Sequence, residues 1–418
     1  MDIKKIKSLK NGFSYYQTDE FVTIVIKHQF NYELNKENYI KANILRNYML
    51  KTNEVYKHEK DINDRGKELY SSVNITNKNI GIKSFLNFEL KMVNPRVIEE
   101  DYFLDALNYY KDIMLKPNFK DNKLDKTIFN QVKKEIIDRE KNNIKNPNII
   151  NLRLYYKNIW PESNANEKEI TNIKELEDIM SKIKEEDIIE FYSYIINNYV
   201  SSYAFGNLTD EEIKMIDNSF NFKQIDFDYK YDIKEKIIDK DIEIISKDTT
   251  QSNIYFTYEI KDYNKDNIYL YETLLHLTNS QNGPVFDVYR TKMGIIYQGT
   301  FNIYYNRGVI TIRLDIDKEN KDKAKKGLKD VFDILNNKED VDKLLKYAKE
   351  KIKTLALSNS EDFEKNVIEI ENYLLRYNLP ISEKLDKINK LTVDDIIKQI
   401  NNLEYKSTYF YKGDKDEK

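Results

Sequence analysis

Hydrolysis, redox chemistry and group transfer each need particular side chains at particular spacings, and this sequence is poor in them. It holds three histidines, His28, His58 and His276, and no cysteine. The lack of cysteine removes disulfides, thiolate nucleophiles, iron–sulfur clusters and cysteine-ligated zinc together. A hydrolytic zinc ion takes about three N or O ligands at ~2.0–2.2 Å, commonly two of them from one helix at i and i+4. No HExxH, HxxEH or His-x-x-x-His pairing can be written with these histidines. His276 lies in the apolar run Leu274-Leu275-His276-Leu277, the setting of a hydrogen-bonded core histidine. His28, near a strand end, and His58, in a polar loop, read as surface residues. A metal site built from carboxylates alone stays open, but 71 acidic residues offer no spacing that selects one. No GxxxxGK[ST], GxGxxG or GxSxG motif occurs, and the chain has ten glycines in 418 residues. Phosphate-cradling loops and nucleophile elbows rely on glycine for positive φ and close backbone approach. A nucleotide-binding enzyme or a serine hydrolase is therefore not expected.

Positioning any site requires a scaffold, and the length implies two domains, because a single core stops growing well before 418 residues. Hydrophobic content of 40% supplies two cores, and 33% charged residues coat a soluble surface. Basic and acidic residues nearly balance, 68 against 71, and alternate locally, as in Lys133-Lys134-Glu135 and Lys184-Glu185-Glu186. That is the pattern of solvated helix faces rather than of a nucleic-acid or anionic-lipid surface. No window approaches the ~18 apolar residues of a membrane span, and no signal-peptide-like stretch follows the charged start. The expectation is a cytoplasmic protein with neither nucleic-acid nor membrane partners.

Strands are predicted at 21–30, 68–75, 82–93 and 202–205, with helices at 36–51, 101–116, 126–143 and 184–197. After the polar stretch 221–240 the order begins again. A strand at 252–260, a helix at 266–277, a hairpin from 295–305 to 308–316 around Asn306-Arg307-Gly308, and helices at 318–335 and 341–357 follow. Glu186-Asp187-Ile188-Ile189 and Tyr203-Ala204-Phe205-Gly206 are echoed by Asp394-Asp395-Ile396-Ile397 and Tyr409-Phe410-Tyr411-Lys412-Gly413, at an offset of about 207 residues. Glu68-Leu69-Tyr70 before a hairpin is likewise echoed by Ile295-Ile296-Tyr297. The prediction is an α+β fold of two homologous domains, residues 1–225 and 226–418, each an antiparallel-rich sheet with helices packed on one face.

This order, the duplication and a few local phrases resemble the M16 (pitrilysin-type) peptidases, in particular short bacterial subunits of this length. The most specific phrase is Pro284-Val285-Phe286-Asp287-Val288-Tyr289-Arg290-Thr291-Lys292-Met293-Gly294-Ile295-Ile296-Tyr297. It is similar to the family's LF-x-x-x-RE-x-x-GL-x-Y stretch, with Arg290, Gly294 and Tyr297 in register. Asp248-Thr249-Thr250-Gln251-Ser252 resembles the segment leading into the first strand of that domain. Active members carry HxxEH on the first helix, where this chain has Ala42-Asn43-Ile44-Leu45-Arg46-Asn47. The resemblance puts Asn43 and Asn47 at the histidine positions and Arg46 at the general-base glutamate. A neutral amide is a poor zinc ligand, and a guanidinium repels the ion and accepts no proton. Ile136-Ile137-Asp138-Arg139-Glu140 is similar to the phrase bearing the third ligand, so Glu140 reads either as a retained carboxylate or as a solvated helix residue.

In the family, the Arg and Tyr of the second domain hold substrate carbonyls, a role that a guanidinium fork and a phenol can both fill. Tyr297 has a second reading as a packed strand residue, since Tyr70 occupies the same repeat position. The resemblance implies a non-catalytic, substrate-binding subunit of a heterodimeric zinc metallopeptidase. It would bind no cofactor itself and would complete the site of an HxxEH-bearing, zinc-binding partner acting on peptides. Two alternatives remain: a scaffold or peptide-binding protein outside proteolysis, and a self-sufficient peptidase with an unfamiliar metal site.

Overall fold

The structure is a computed structural model and describes residues 4–6, 14–80, 83–198, 200–223, 235–280, 282–360, 362–369 and 381–415. The first half runs β1 (Lys4–Ile6), β2 (Ser14–Gln17), β3 (Thr23–Glu33), α1 (Lys36–Met49), α2 (Glu59–Glu68), β4 (Ser71–Ile80) and β5 (Lys83–Val93). It continues through α3 (Pro95–Ile98), α4 (Phe103–Leu115), α5 (Lys126–Lys145), α6 (Pro147–Ile159), α7 (Ile173–Lys182), α8 (Glu185–Ile196), β6 (Val200–Gly206) and α9 (Asp210–Ser219). The second half holds β7 (Ile242–Ser246), β8 (Ser252–Ile260), α10 (Ile268–Thr278), α11 (Pro284–Phe286), β9 (Ile296–Tyr304) and β10 (Val309–Ile316). It ends with α12 (Lys321–Asn336), α13 (Lys338–Ser360), α14 (Phe363–Glu369), α15 (Ile381–Lys390), α16 (Val393–Asn401) and β11 (Leu403–Gly413). Among the described residues, no helix is long and apolar enough to cross a membrane.

The chain forms two compact units, Met1–Ile144 with Asn164–Asp228, and Lys145–Ser163 with Tyr229–Lys418. The boundary expected at about residue 225 lies outside the described residues. In the first unit the strand order is β1-β2-β6-β3-β5-β4, with β2 and β6 parallel and the other neighbours antiparallel. In the second it is β7-β11-β8-β10-β9, again with one parallel pair, β7 and β11. Substituting β7 for β2, β11 for β6, β8 for β3, β10 for β5 and β9 for β4 makes the orders identical apart from the extra edge strand β1. The α+β duplication read from the sequence is therefore present strand for strand.

In the first unit, side chains alternate along β3, so Ile24, Ile26, Phe30 and Tyr32 meet Leu86, Phe88, Leu90 and Met92 of β5 in one core. Helix α1 adds Ile40, Ile44, Leu45, Tyr48 and Met49 to it. The same alternation places His28 inside, which corrects its reading as a surface residue. It is fully buried, its Nδ1 lies 2.8 Å from the Tyr110 hydroxyl, and Phe30, Phe220 and Phe222 surround the ring. His58 is exposed and directly precedes α2, where its backbone N–H donates to Asp61 Oδ2 at 3.1 Å. Glu68 closes α2, so the strand expected from residue 68 begins at Ser71, after Tyr70 takes a left-handed turn at φ 44°.

The second sheet buries both faces. Ile254, Phe256 and Tyr258 of β8 face α10, α12, α13 and α16, while Tyr255, Tyr409 and Tyr411 face Tyr155, Ile159 and Trp160 of the α6 segment. Asn151 of α6 donates to Asn253 Oδ1 at 2.8 Å, the Tyr155 hydroxyl pairs with Thr257 at 3.1 Å, and the Tyr155 and Tyr255 rings stack at 4.4 Å. Residues 145–163 thus pack with the second unit although they precede β6 of the first, and here helices cover two faces of the sheet rather than one. The cause is visible in β8, whose apolar and aromatic residues do not alternate with polar ones. His276 is half-buried on α10 rather than in the core.

Candidate functional site

Helix α1 presents the positions where the sequence points to lost ligands. Asn35 caps its start by accepting from the Asn38 N–H, and Glu37 sits in the first turn, so the helix is well founded. Asn43 is buried and its amide donates back to the Tyr39 carbonyl at 2.9 Å. Arg46 and Asn47 follow on the same face, three and four residues on, and both are half-buried. Just past the end of α1, Lys51 meets Glu135 of α5 at 3.3 Å. Burial first, and the Arg139 charge second, lower the Arg46 pKa from its ordinary value. Arg46 Nε is buried without a hydrogen-bond partner among the described residues.

Glu140 is buried, at 8% exposure, which corrects its reading as a solvated residue. It continues the inward stripe Phe129, Val132, Ile136 of α5. Asn143 donates to its Oε1 at 3.1 Å, and Arg139 Nε lies 3.9 Å away. Zinc needs converging lone pairs, and here α1 offers a back-bonded amide, a second neutral amide and a guanidinium. Among the described residues no group of three His, Cys, Asp or Glu side chains could hold a metal ion. The residues at these positions do not fit zinc.

The second unit carries Arg290 and Tyr297. Pro284 opens a helical turn that passes into a π-helical segment, Asp287–Lys292. Such wide turns are rare and recur at functional sites. Tyr289 anchors the segment from below, its hydroxyl donating to the Ala324 carbonyl at 3.0 Å, and Gly327 leaves room for that ring. Arg290 on the next position is exposed, its guanidinium 4.9 Å from the Phe286 ring centroid. Gly294 then turns the chain at φ 64°, where the Ile295 N–H closes onto the Tyr289 carbonyl at 3.0 Å and β9 begins.

Tyr297, the second residue of β9, is 61% exposed, and its hydroxyl donates to Asp317 Oδ1 at 3.0 Å. The packed-strand reading of this tyrosine does not hold, because its side chain stands out from the edge of the sheet. It lines an open cavity of about 670 Å³ together with Thr250, Gln251, Asp317, Lys318 and Gly413. The Asp248–Ser252 phrase and Tyr297, 45 or more residues apart in sequence, therefore meet at one end of the sheet. Arg290 does not line this cavity. Tyr70 is similarly exposed, at 42%, and its hydroxyl lies 3.4 Å from Glu100 Oε1, so the two repeats share an outward tyrosine beside a carboxylate. Sequence reasoning missed two neighbours, Asp317 and Arg139. The signals were their places: Asp317 directly follows a hairpin strand, and Arg139 precedes the candidate Glu140.

Residues 182–352 match the family model of the peptidase M16 inactive domain. No curated protein matches the sequence significantly. Among solved structures, a conserved protein from Enterococcus faecalis V583 is similar over 100% of both chains at 16% identity, with a TM-score of 0.81. A protease from Helicobacter pylori is similar over 98% of this chain and 99% of its own, at 13% identity and a TM-score of 0.73. A peptidase M16 inactive domain from Pseudomonas fluorescens is similar over 100% of both chains, at 15% identity and a TM-score of 0.72. Residues 182–352 are thus similar to the M16 inactive domain, and the duplicated fold of the whole chain is shared end to end with these structures.

Proposed function

We propose that this chain is the non-catalytic, substrate-binding subunit of a heterodimeric zinc metallopeptidase, and that it completes the active site of an HxxEH-bearing partner acting on peptides. The observation that carries the reading is the contrast between the two candidate sets. On α1 the ligand positions hold Asn43, Arg46 and Asn47, two neutral amides and a guanidinium that offer a cation no set of converging lone pairs. In the second unit, Arg290 is exposed and makes no ion pair or hydrogen bond among the described residues, and Tyr297 is exposed at the mouth of a cavity. Groups kept exposed at the end of a structured turn are available to a peptide, and a guanidinium suits a peptide carbonyl or a developing oxyanion. Zinc, in this reading, belongs to the partner.

The test is reconstitution with an HxxEH-bearing M16 chain from the same genome, followed by assay of peptide hydrolysis. The proposal expects activity from the pair and none from this chain alone. Arg290→Ala should lower kcat/KM of the pair by roughly 10–150-fold, the loss of one charge-assisted contact, without changing pair formation. A pair that forms and whose hydrolysis is indifferent to Arg290→Ala would instead support a scaffold role.

A further inference from the structure

We propose that a second cavity, between the start of α10 and the faces of α15 and α16, binds an oxyanion carried on a small apolar or aromatic group, a phosphate monoester or a carboxylate. This cavity measures about 450 Å³, lies wholly in the second unit and shares no lining residue with the Tyr297 cavity. Helix register creates it. Lys387, Lys390 and Leu391 fall at i, i+3 and i+4 over the end of α15, and Asp395, Lys398, Gln399 and Asn402 at i, i+3, i+4 and i+7 along α16. Each helix therefore turns one face to the cavity, and Tyr269 and Leu270 from the first turn of α10 line its third side.

Gln399 shows that a partner is missing. It is 6% exposed, its side chain makes no hydrogen bond among the described residues, and its Nε2 is buried without a partner. Buried amides are rarely left in that state. The terminal torsion of glutamine is soft, so a modest rotation brings Nε2 to an acceptor held in the cavity. The charges favour the same ligand. Three lysines and two aspartates line the cavity, and both aspartates already accept within the protein. Asp395 takes the Thr392 N–H at 2.8 Å and the Thr392 hydroxyl at 2.7 Å, and Asp262 takes the Asn402 amide at 3.3 Å. Lys387 is committed to Glu383 at 3.1 Å and lies 5.4 Å from the Tyr269 ring centroid. Lys390 and Lys398 make neither an ion pair nor a side-chain hydrogen bond among the described residues. A ligand entering here meets two uncommitted ammonium groups and an unpaired amide, and an oxyanion uses all three. The Asn267 side chain does not cap α10, so the positive end of that helix adds to the attraction. Tyr269, with Leu270 and Leu391 each 9% exposed, forms an apolar wall that a bare ion would leave empty. Binding at this place needs no partner peptidase.

The test titrates the full chain with phenyl phosphate, benzoate and benzamide, which share a ring and differ in the group it carries. ¹⁵N-glutamine labelling lets NMR follow the side-chain amide signals, with that of Gln399 assigned through Gln399→Leu. The expected result is a saturable shift of the Gln399 signal in the millimolar range or below with one or both anions, and none with benzamide. The anion that binds more tightly identifies the source as phosphate or carboxylate. Lys390→Gln combined with Lys398→Gln should weaken binding by about tenfold or more. Lys343→Gln, on α13 and outside the lining, should leave it unchanged. Equal shifts with benzamide would overturn the proposal, as would unaltered affinity in the double lysine variant. So would an unmoved Gln399 signal with both anions at 10 mM or so, about the weakest range such contacts support.

Discussion

Tyr297 commits its hydroxyl proton to Asp317, at 3.0 Å, while most of its ring faces solvent. The carboxylate raises the phenol pKa above its ordinary value through this bond, so Tyr297 stays protonated at neutral pH. A proton given to Asp317 is not also given to a peptide carbonyl. The phenol oxygen instead faces the cavity as an acceptor until Asp317 is displaced or screened. For Tyr297 to donate to substrate in a reconstituted pair, Asp317 must release it. Tyr297→Phe should then lower kcat/KM of the pair, by about fivefold or more for one neutral hydrogen bond. Asp317→Asn should leave it unchanged or raise it. Loss of activity in Asp317→Asn with no effect of Tyr297→Phe would show that the carboxylate, and not the phenol, meets the peptide.

The metal positions lead to a stepwise expectation. The purified chain should carry no stoichiometric zinc by elemental analysis. Asn43→His with Asn47→His places two imidazoles about 5–6 Å apart at Cβ, the spacing zinc takes on helices. The Arg46 guanidinium still opposes the ion, so this variant should bind zinc weakly, and adding Arg46→Glu should strengthen binding by at least about tenfold. Competition against a chromophoric chelator measures both. Tight binding by the two-histidine variant alone would show that Arg46 does not face the ligand positions.

His28 gives the fold an acid sensitivity. Burial lowers its pKa from 6.5 to about 3. Unfolding lets the ring regain its ordinary pKa, so the unfolded chain binds the proton first as pH falls. The stability from keeping this histidine neutral is complete above about pH 6.5 and is lost between there and about pH 3, by up to about 1.4 kcal/mol per pH unit. His28→Phe should flatten the dependence, because the Tyr110 hydroxyl still donates to the Phe88 carbonyl at 2.9 Å. Urea melts at pH 7 and pH 5 test it: an equal loss of stability in both proteins would remove His28 as the cause.

Gly327 is the neighbour that lets the Arg290 segment sit where it does. A Cβ there would lie 2.5 Å from Tyr289 Cε1 and 3.0 Å from the Met293 sulfur. Gly327→Ala should therefore destabilise the chain by about 1–3 kcal/mol through overpacking, even though alanine favours helices. It should also shift the Arg290 Nε–H signal. A rise in Tm with Arg290 unmoved would mean that Tyr289 and Met293 relax freely.

Local pattern carried much of the fold. Strand β8 has the bounds read from its β-branched and aromatic run, and α1 follows from its apolar stripe. The paired phrases at 186–206 and 394–413 fall on α8 with β6 and on α16 with β11, which occupy equivalent places in the two sheets. These features are legible because helix and strand periods are set by residues a few positions apart. The Asn43, Arg46 and Asn47 substitutions and the Arg290 to Tyr297 phrase were legible for the same reason. What the sequence left undetermined depends on partners distant in the chain. The β3 pattern did not say which face holds His28, and the apolar faces of residues 145–163 did not say that Asn151 and Tyr155 pack on β8, about 100 residues away. Nor could spacing show that Glu140 is buried or that Asp317 takes the Tyr297 proton. Those relationships depend on helix register and on which faces exclude water, and packing between elements fixes both.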